Sequence, residues 1–170
     1  MFLGDVLKYL ADRGSRENPG KIPSAISASL EAAINARCTA DPYVIVLAHS
    51  LGGLIVYETL THFCPELSCD VLVTVGSQVS WFRALHLTLE QRDLRTPGAV
   101  PANIGAWINV IDENDLLGFP IGRAFNGSSD FYFETGAAVI NSHSAYFSRP
   151  SFYARLGRRL QSQLPYVNNL

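Results

Sequence analysis

The residues whose types and spacing can do chemistry centre on Ser50. In Ala48-His49-Ser50-Leu51-Gly52 a serine hydroxyl stands between small residues two positions to either side. Tyr43–Leu47, just before it, is a continuous apolar, β-branched run, and Gly52 and Gly53 open an apolar helical stretch to about Phe63. A strand that runs straight into a tight turn and then a helix holds the serine backbone in a strained conformation and its hydroxyl outward, as in a nucleophile elbow. Bulky side chains two residues before or after such a serine would collide, and Ala48 keeps that space nearly as clear as glycine. The helix that begins after Ser50 aims its free N–H groups and its partial positive charge at a reacting oxygen. The N–H of Leu51 is the natural first donor to an oxyanion.

A serine hydroxyl needs a base, and the base needs an orienting carboxylate. Asp112, Glu113 and Asp115 follow the apolar run Trp107–Ile111, and His143 lies further on in Asn141-Ser142-His143-Ser144-Ala145-Tyr146. His49 adjoins Ser50, but an elbow turns neighbouring side chains apart, so it reads as a structural neighbour. His62 and His86 read as surface or packing residues. Trp81, Phe82 and Phe119 are candidates to line an acyl pocket, with core packing as the other reading.

The elements that must position these groups follow from periodicity. Phe2, Leu3, Val6, Leu7 and Leu10 fit one helical face, and Ile26, Leu30, Ile34 and Cys38 a second helix opened by Pro23 and Ser24. Tyr43–Leu47, Val71–Val75 and Trp107–Ile111 read as strands, the first two buried on both faces. Phe131–Glu134 reads as a fourth strand, Gln78–Arg92 as helical in part, and Ser151–Leu164 as a closing helix. Strands alternating with helices predict an α/β fold with a mostly parallel sheet of about four strands, in a single domain spanning 1–170.

Composition excludes other classes. The 170 residues carry 13 basic and 15 acidic side chains, a net charge of −2 that offers no counterion-release footing for nucleic acid. With 48% hydrophobic and 16% charged residues the chain can build a core and is not a disordered polymer. The arginines at 149, 155, 158 and 159 read as the solvated face of the last helix. No apolar run approaches the ~20 residues of a membrane span. Asp5 and Lys8 interrupt the first ten residues, which do not read as a signal peptide, so a cytoplasmic setting is expected. Cys38, Cys64 and Cys69 then read as free thiols, with a Cys64–Cys69 pair open on oxidation. No His stands at a zinc-ligand spacing, and no metal or organic cofactor is expected.

Taken together, Ala48–Gly53, Trp107–Asp115 and His143–Tyr146 resemble the α/β-hydrolase superfamily, most closely its lipase-like and esterase-like members, over about residues 40–150. The chain order Ser, Asp, His is the one found in that superfamily. The resemblance implies Ser50 as nucleophile, His143 as base and Asp115 as orienting acid, with Asp112 as the alternative acid. It implies a serine hydrolase of carboxylic esters; a chain too short for a lid or cap, with few residues left to wall the pocket, is expected to take short to medium acyl chains with broad specificity. The chain departs from the family in having no candidates for the strands that normally precede the elbow strand. The loop that carries the second oxyanion donor is then missing, a loss that typically costs about 10²–10³ in rate. The Gly14–Gly20 loop or a partner chain is expected to replace it. The apolar strand Tyr43–Leu47 also becomes a sheet edge, which predicts a homo-oligomer through this edge or the apolar face beside it. Two rival readings are a non-catalytic or partner-completed fragment acting as an assembly module, and a thioesterase or acyltransferase using the same residues.

Overall fold

Four parallel strands form the sheet that carries the candidate site, in the order Ile45–His49, Cys69–Val75, Ile104–Ile111 and Ser129–Tyr132. The structure, a computed structural model, describes residues 2–89 and 96–164. In chain order the elements are α1 (Phe2–Asp12), α2 (Lys21–Asn35), β1 (Ile45–His49), α3 (Leu51–Glu58), β2 (Cys69–Val75), α4 (Val79–Ala84), β3 (Gly98–Ala99), β4 (Ile104–Ile111), β5 (Phe125–Asn126), β6 (Ser129–Tyr132), α5 (Val139–Ala145) and α6 (Pro150–Gln163). A π-helical turn, Thr59–Phe63, extends α3. The short strands β3 and β5 pair with each other outside the main sheet. Residues 90–92 of the stretch expected to be partly helical lie outside the described residues, and its helical part is α4.

The two central strands, β2 and β4, are covered on both faces because their side chains alternate. Val71, Val73 and Val75 of β2 join Ile108, Val110, Phe133, Tyr146, Phe152 and Leu164 in one core. Leu72 and Trp107 point the other way, into a core with Leu30 of α2, Leu54 and Tyr57 of α3, and Phe82. Helix α6 starts with Pro150 in its first turn, where the missing N–H costs nothing, and lays Phe152, Leu156 and Leu160 on the first of these cores. Its arginines lie on the outer side, with Arg155 and Arg159 over the rings of Phe133 and Phe131.

One strand differs from its sequence reading. The run Tyr43–Leu47 reads as buried on both faces, but β1 starts at Ile45 and is the sheet edge, with Ile45 42% and Leu47 47% exposed. An apolar run does not distinguish a central strand from an edge strand whose outer face lacks a covering helix. Cys38, Cys64 and Cys69 are all free thiols, and burial pushes the Cys69 thiol up to about 12. Among the described residues, no helix is long and apolar enough to cross a membrane.

Candidate active site

The carboxyl ends of β1, β2 and β4 bring the candidate groups together. The Ser50 N–H donates to the Val75 carbonyl at 2.9 Å, extending the β1–β2 ladder by one residue. There the chain reverses into α3, with Ser50 at φ 55° and ψ −130°. This is a strained conformation for a residue with a side chain, and it turns the hydroxyl out of the sheet. Ala48 and Gly52 do face each other across the turn, since a β-carbon on Gly52 would lie 4.0 Å from that of Ala48. The tighter approach is at Gly53, where a β-carbon would strike the Ser77 side chain and stand 3.1 Å from Thr74 Cγ2.

His143 reaches Ser50 from α5. Its Nε2 lies 2.8 Å from Ser50 Oγ, and its Nδ1 lies 3.0 Å from each oxygen of Asp115. With Nδ1 protonated toward the carboxylate, Nε2 is left to accept the serine proton. The Asp115 side chain is fully buried, while that of His143 remains 22% exposed, so the array opens to solvent on the serine side. Asp115 Oδ1 also accepts the Leu117 N–H at 2.9 Å, and Oδ2 accepts the Tyr146 hydroxyl at 2.8 Å. Burial acts to raise the Asp115 pKa. The bonds from His143, Leu117 and Tyr146 and the His143 charge outweigh it and hold the carboxyl below its usual range.

Asp112, the alternative acid, is engaged elsewhere. Its Oδ1 accepts the Asn114 N–H at 2.9 Å and its Oδ2 the Thr135 N–H at 2.7 Å. It therefore ties the loop after β4 to the segment before α5. Glu113 is exposed. His49 is not aligned with Ser50; its Nε2 pairs with the His143 carbonyl at 2.8 Å and its ring lies 4.7 Å from the His143 ring. Burial lowers the pKa of His49, and the neutral ring can donate that proton to the carbonyl. His62 lies on the π-helical turn and His86 is exposed after α4.

The three aromatic candidates separate. Trp81 is 39% exposed and stacks on half-buried Phe119, with ring centroids 5.7 Å apart and planes at 11°. Phe82 is fully buried in the core, so it has no surface to offer a substrate. The reason is helical geometry, which turns successive side chains about 100° apart. Phe119 is held by its backbone, whose N–H donates to the Ser77 carbonyl and whose carbonyl accepts Asn109 Nδ2.

The N–H groups of Leu51 and Gly52, in the first turn of α3, have no partner within the helix. The Gly14–Gly20 loop cannot supply a second donor beside them. Arg13, at its start, bonds to Glu58 at the opposite end of α3, seven residues and roughly 10 Å along the helix from Leu51. Tyr9 and the Leu89 N–H bond to the same buried carboxylate. An open cavity of about 740 Å³, lined by Ser15, Glu17, Tyr57, His62 and Asn103 among others, also lies at that end, away from Ser50.

Sequence reading did not find two further parts of the site. Gly76, at φ +54°, passes so close beneath the acid that a β-carbon would stand 2.6 Å from Asp115 Oδ2. Tyr146 is fully buried and bonded to both aspartates. Its spacing of three from His143 is visible in the sequence, but its partners are not. No protein-family model matches the sequence, and no curated protein matches it.

Proposed function

We propose that this protein is a serine hydrolase that cleaves carboxylic esters through an acyl-enzyme on Ser50. The observation that carries the reading is the array Ser50 Oγ–His143 Nε2–Asp115, at 2.8 and 3.0 Å, with the serine on a strained turn at the start of α3. In this mechanism His143 takes the Ser50 proton as Oγ attacks the acyl carbonyl. The Leu51 N–H and the positive end of α3 stabilise the oxyanion. His143 returns the proton to the leaving alkoxide, then takes one from a water that attacks the acyl carbon and passes it to Ser50 Oγ as the acid leaves. Asp115 holds the imidazole in the tautomer this requires and stabilises the imidazolium. Trp81 and Phe119 give the acyl chain an apolar contact. Leu116, adjoining the acid, and Ile140, three residues before the base, are both exposed, an open wall that suits short to medium chains of varied shape. We infer as well that the protein forms a homo-oligomer through the uncovered β1 edge.

A fluorophosphonate probe tests the central claim. The expected result is a single adduct, on Ser50, with labelling and ester hydrolysis both abolished in Ser50→Ala. No labelling of the wild type, or hydrolysis unchanged in Ser50→Ala, overturns it. A p-nitrophenyl ester series from acetate to decanoate tests the breadth of specificity, and activity on one ester alone contradicts it.

A further inference from the structure

We propose that Tyr146 is a positioning residue for the Ser50–His143–Asp115 array, its phenol fixing the Asp115 carboxylate and moderating how strongly that carboxylate holds the proton on His143. The inference rests on the hydrolase reading above and deepens it.

The direction of the bonds at the phenol is forced. The Asp112 backbone N–H lies 2.8 Å from Tyr146 Oη, and an amide N–H can only donate. The phenol accepts it, so its own proton points to Asp115 Oδ2, also 2.8 Å away. Oδ1 of the same carboxylate is held by the Leu117 N–H. One donor per oxygen fixes the carboxylate plane, and His143 Nδ1 meets both oxygens at 3.0 Å. Without the phenol, Oδ2 keeps only His143, and the carboxylate is free to turn toward a single-oxygen contact with the imidazole.

Tyr146 also lies three residues beyond His143, where α5 passes into the turn Tyr146–Ser148. The base and the clamp on its acid therefore move as one body. The ring is locked by Phe133 and Phe152, with His49 at its edge. The titratable groups that face this unit are Asp112 and Asp115 from the loop after β4, His143 on the same helical run, and His49 at the end of β1.

A hydrogen bond donated to a carboxylate stabilises its charge and weakens its hold on other protons. Removing the phenol proton leaves Asp115 a stronger partner for the protonated imidazole, so His143 gives up its proton at higher pH. Tyr146→Phe keeps the ring and deletes only this bond and the acceptor for Asp112. A residue that merely fills space predicts lower thermal stability and an unchanged pH profile.

The test measures kcat, KM and the acid limb of kcat/KM against pH for wild type and Tyr146→Phe. The expected result is a fall in kcat of about tenfold, the scale of one lost hydrogen bond to a charged group, with KM within about twofold. The acid limb moves to higher pH. An unmoved limb and an unchanged kcat overturn the proposal. Should Tyr146→Phe not fold, 3-fluorotyrosine placed at 146 keeps size and packing and makes the phenol a stronger donor. The limb then moves down, and an unmoved limb overturns the proposal. If the wild type takes no fluorophosphonate, the hydrolase reading fails separately. NMR titration of the His143 ring then decides the positioning claim without turnover, since a midpoint raised in Tyr146→Phe supports it and an unchanged midpoint overturns it.

Discussion

The α-carbon of Gly76 lies beneath the Asp115 carboxylate, and a β-carbon there would stand 2.6 Å from Oδ2 and 3.2 Å from His143 Nδ1. The turn after β2 thus sets how deeply the acid can sit. At φ +54° the position also strains any residue with a side chain. Gly76→Ala should push Asp115 and His143 off their mutual geometry while the sheet below survives. We expect kcat/KM to fall by about 100-fold, the scale of a 1 Å misplacement, with the far-UV circular dichroism unchanged. Wild-type activity in Gly76→Ala would show that the acid has room the structure denies it.

Gly52 and Gly53 stand next to each other but tolerate different changes. A methyl at 52 meets only the Ala48 methyl at ordinary contact distance, whereas one at 53 runs into Ser77 and Thr74. Gly52→Ala should leave stability equal or raise it by about 0.5–1 kcal/mol, since alanine favours a helix. Gly53→Ala should cost about 1–3 kcal/mol through overpacking. Chemical denaturation of the two variants checks the contrast, and equal effects would refute it.

What the sequence made legible, and what it hid, divides by range. Val71–Val75 and Trp107–Ile111 are recognisable as strands because both faces of β2 and β4 are covered, so every position is apolar or internally bonded. β1 has the same composition without the covering. Helix α5 escapes detection because seven residues, Val139–Ala145, are too few to display a period. Ser50, Asp115 and His143 stand out by residue type and order, and the fold sets them within hydrogen-bond reach of one another. Tyr146 is equally visible as a residue, yet its partners Asp112 and Asp115 lie over thirty residues upstream and become neighbours only when α5 packs on the sheet. Neighbouring Trp81 and Phe82 look alike in sequence and take opposite positions, one at the surface and one in the core.

The strain at Ser50 predicts a trade between activity and stability. Its φ of 55° and ψ of −130° cost a residue with a side chain about 1–3 kcal/mol, whereas glycine reaches that region freely. Glycine's greater entropy loss offsets about 0.5–1 kcal/mol of the gain. Ser50→Gly should therefore be inactive and more stable by about 1 kcal/mol. A denaturation midpoint below that of the wild type would contradict the strain at this turn.

Asp112 should act on stability in a pH-dependent way. Burial works to raise its pKa, but the bonds from Thr135 and Asn114 prevail and hold it below the usual value of 3.8. A carboxyl whose folded pKa is depressed contributes its stability above the unfolded pKa and loses it as pH falls through the folded one. Asp112→Asn should then be less stable than wild type by about 1–3 kcal/mol at pH 6, the cost of a buried N–H left without its charged acceptor. The difference should begin to shrink as pH drops below about 4, where the unfolded carboxyl takes up its proton, and go on shrinking until the folded one does so too. Urea unfolding at pH 6 and pH 3 measures both values, and a gap that does not narrow between them would remove Asp112 as the source.

The edge strand carries the last expectation. Among the described residues β1 pairs with β2 alone, and its outer face presents Ile45 and Leu47, 42% and 47% exposed. An apolar parallel edge without a protecting charge recruits another strand. Pairing with the β1 edge of a second copy across a twofold axis would continue the sheet and cover both side chains. Leu47→Lys places a charge in that contact while leaving the paired side of β1 and Ser50 untouched. Multi-angle light scattering should then find an oligomer for the wild type at micromolar concentration and a monomer for Leu47→Lys, with ester hydrolysis per chain retained. A wild type that is monomeric under those conditions would rule the edge out as a self-association surface. Loss of activity together with oligomer loss would mean instead that a neighbouring copy completes the site, consistent with the absence of a second oxyanion donor on the Gly14–Gly20 loop.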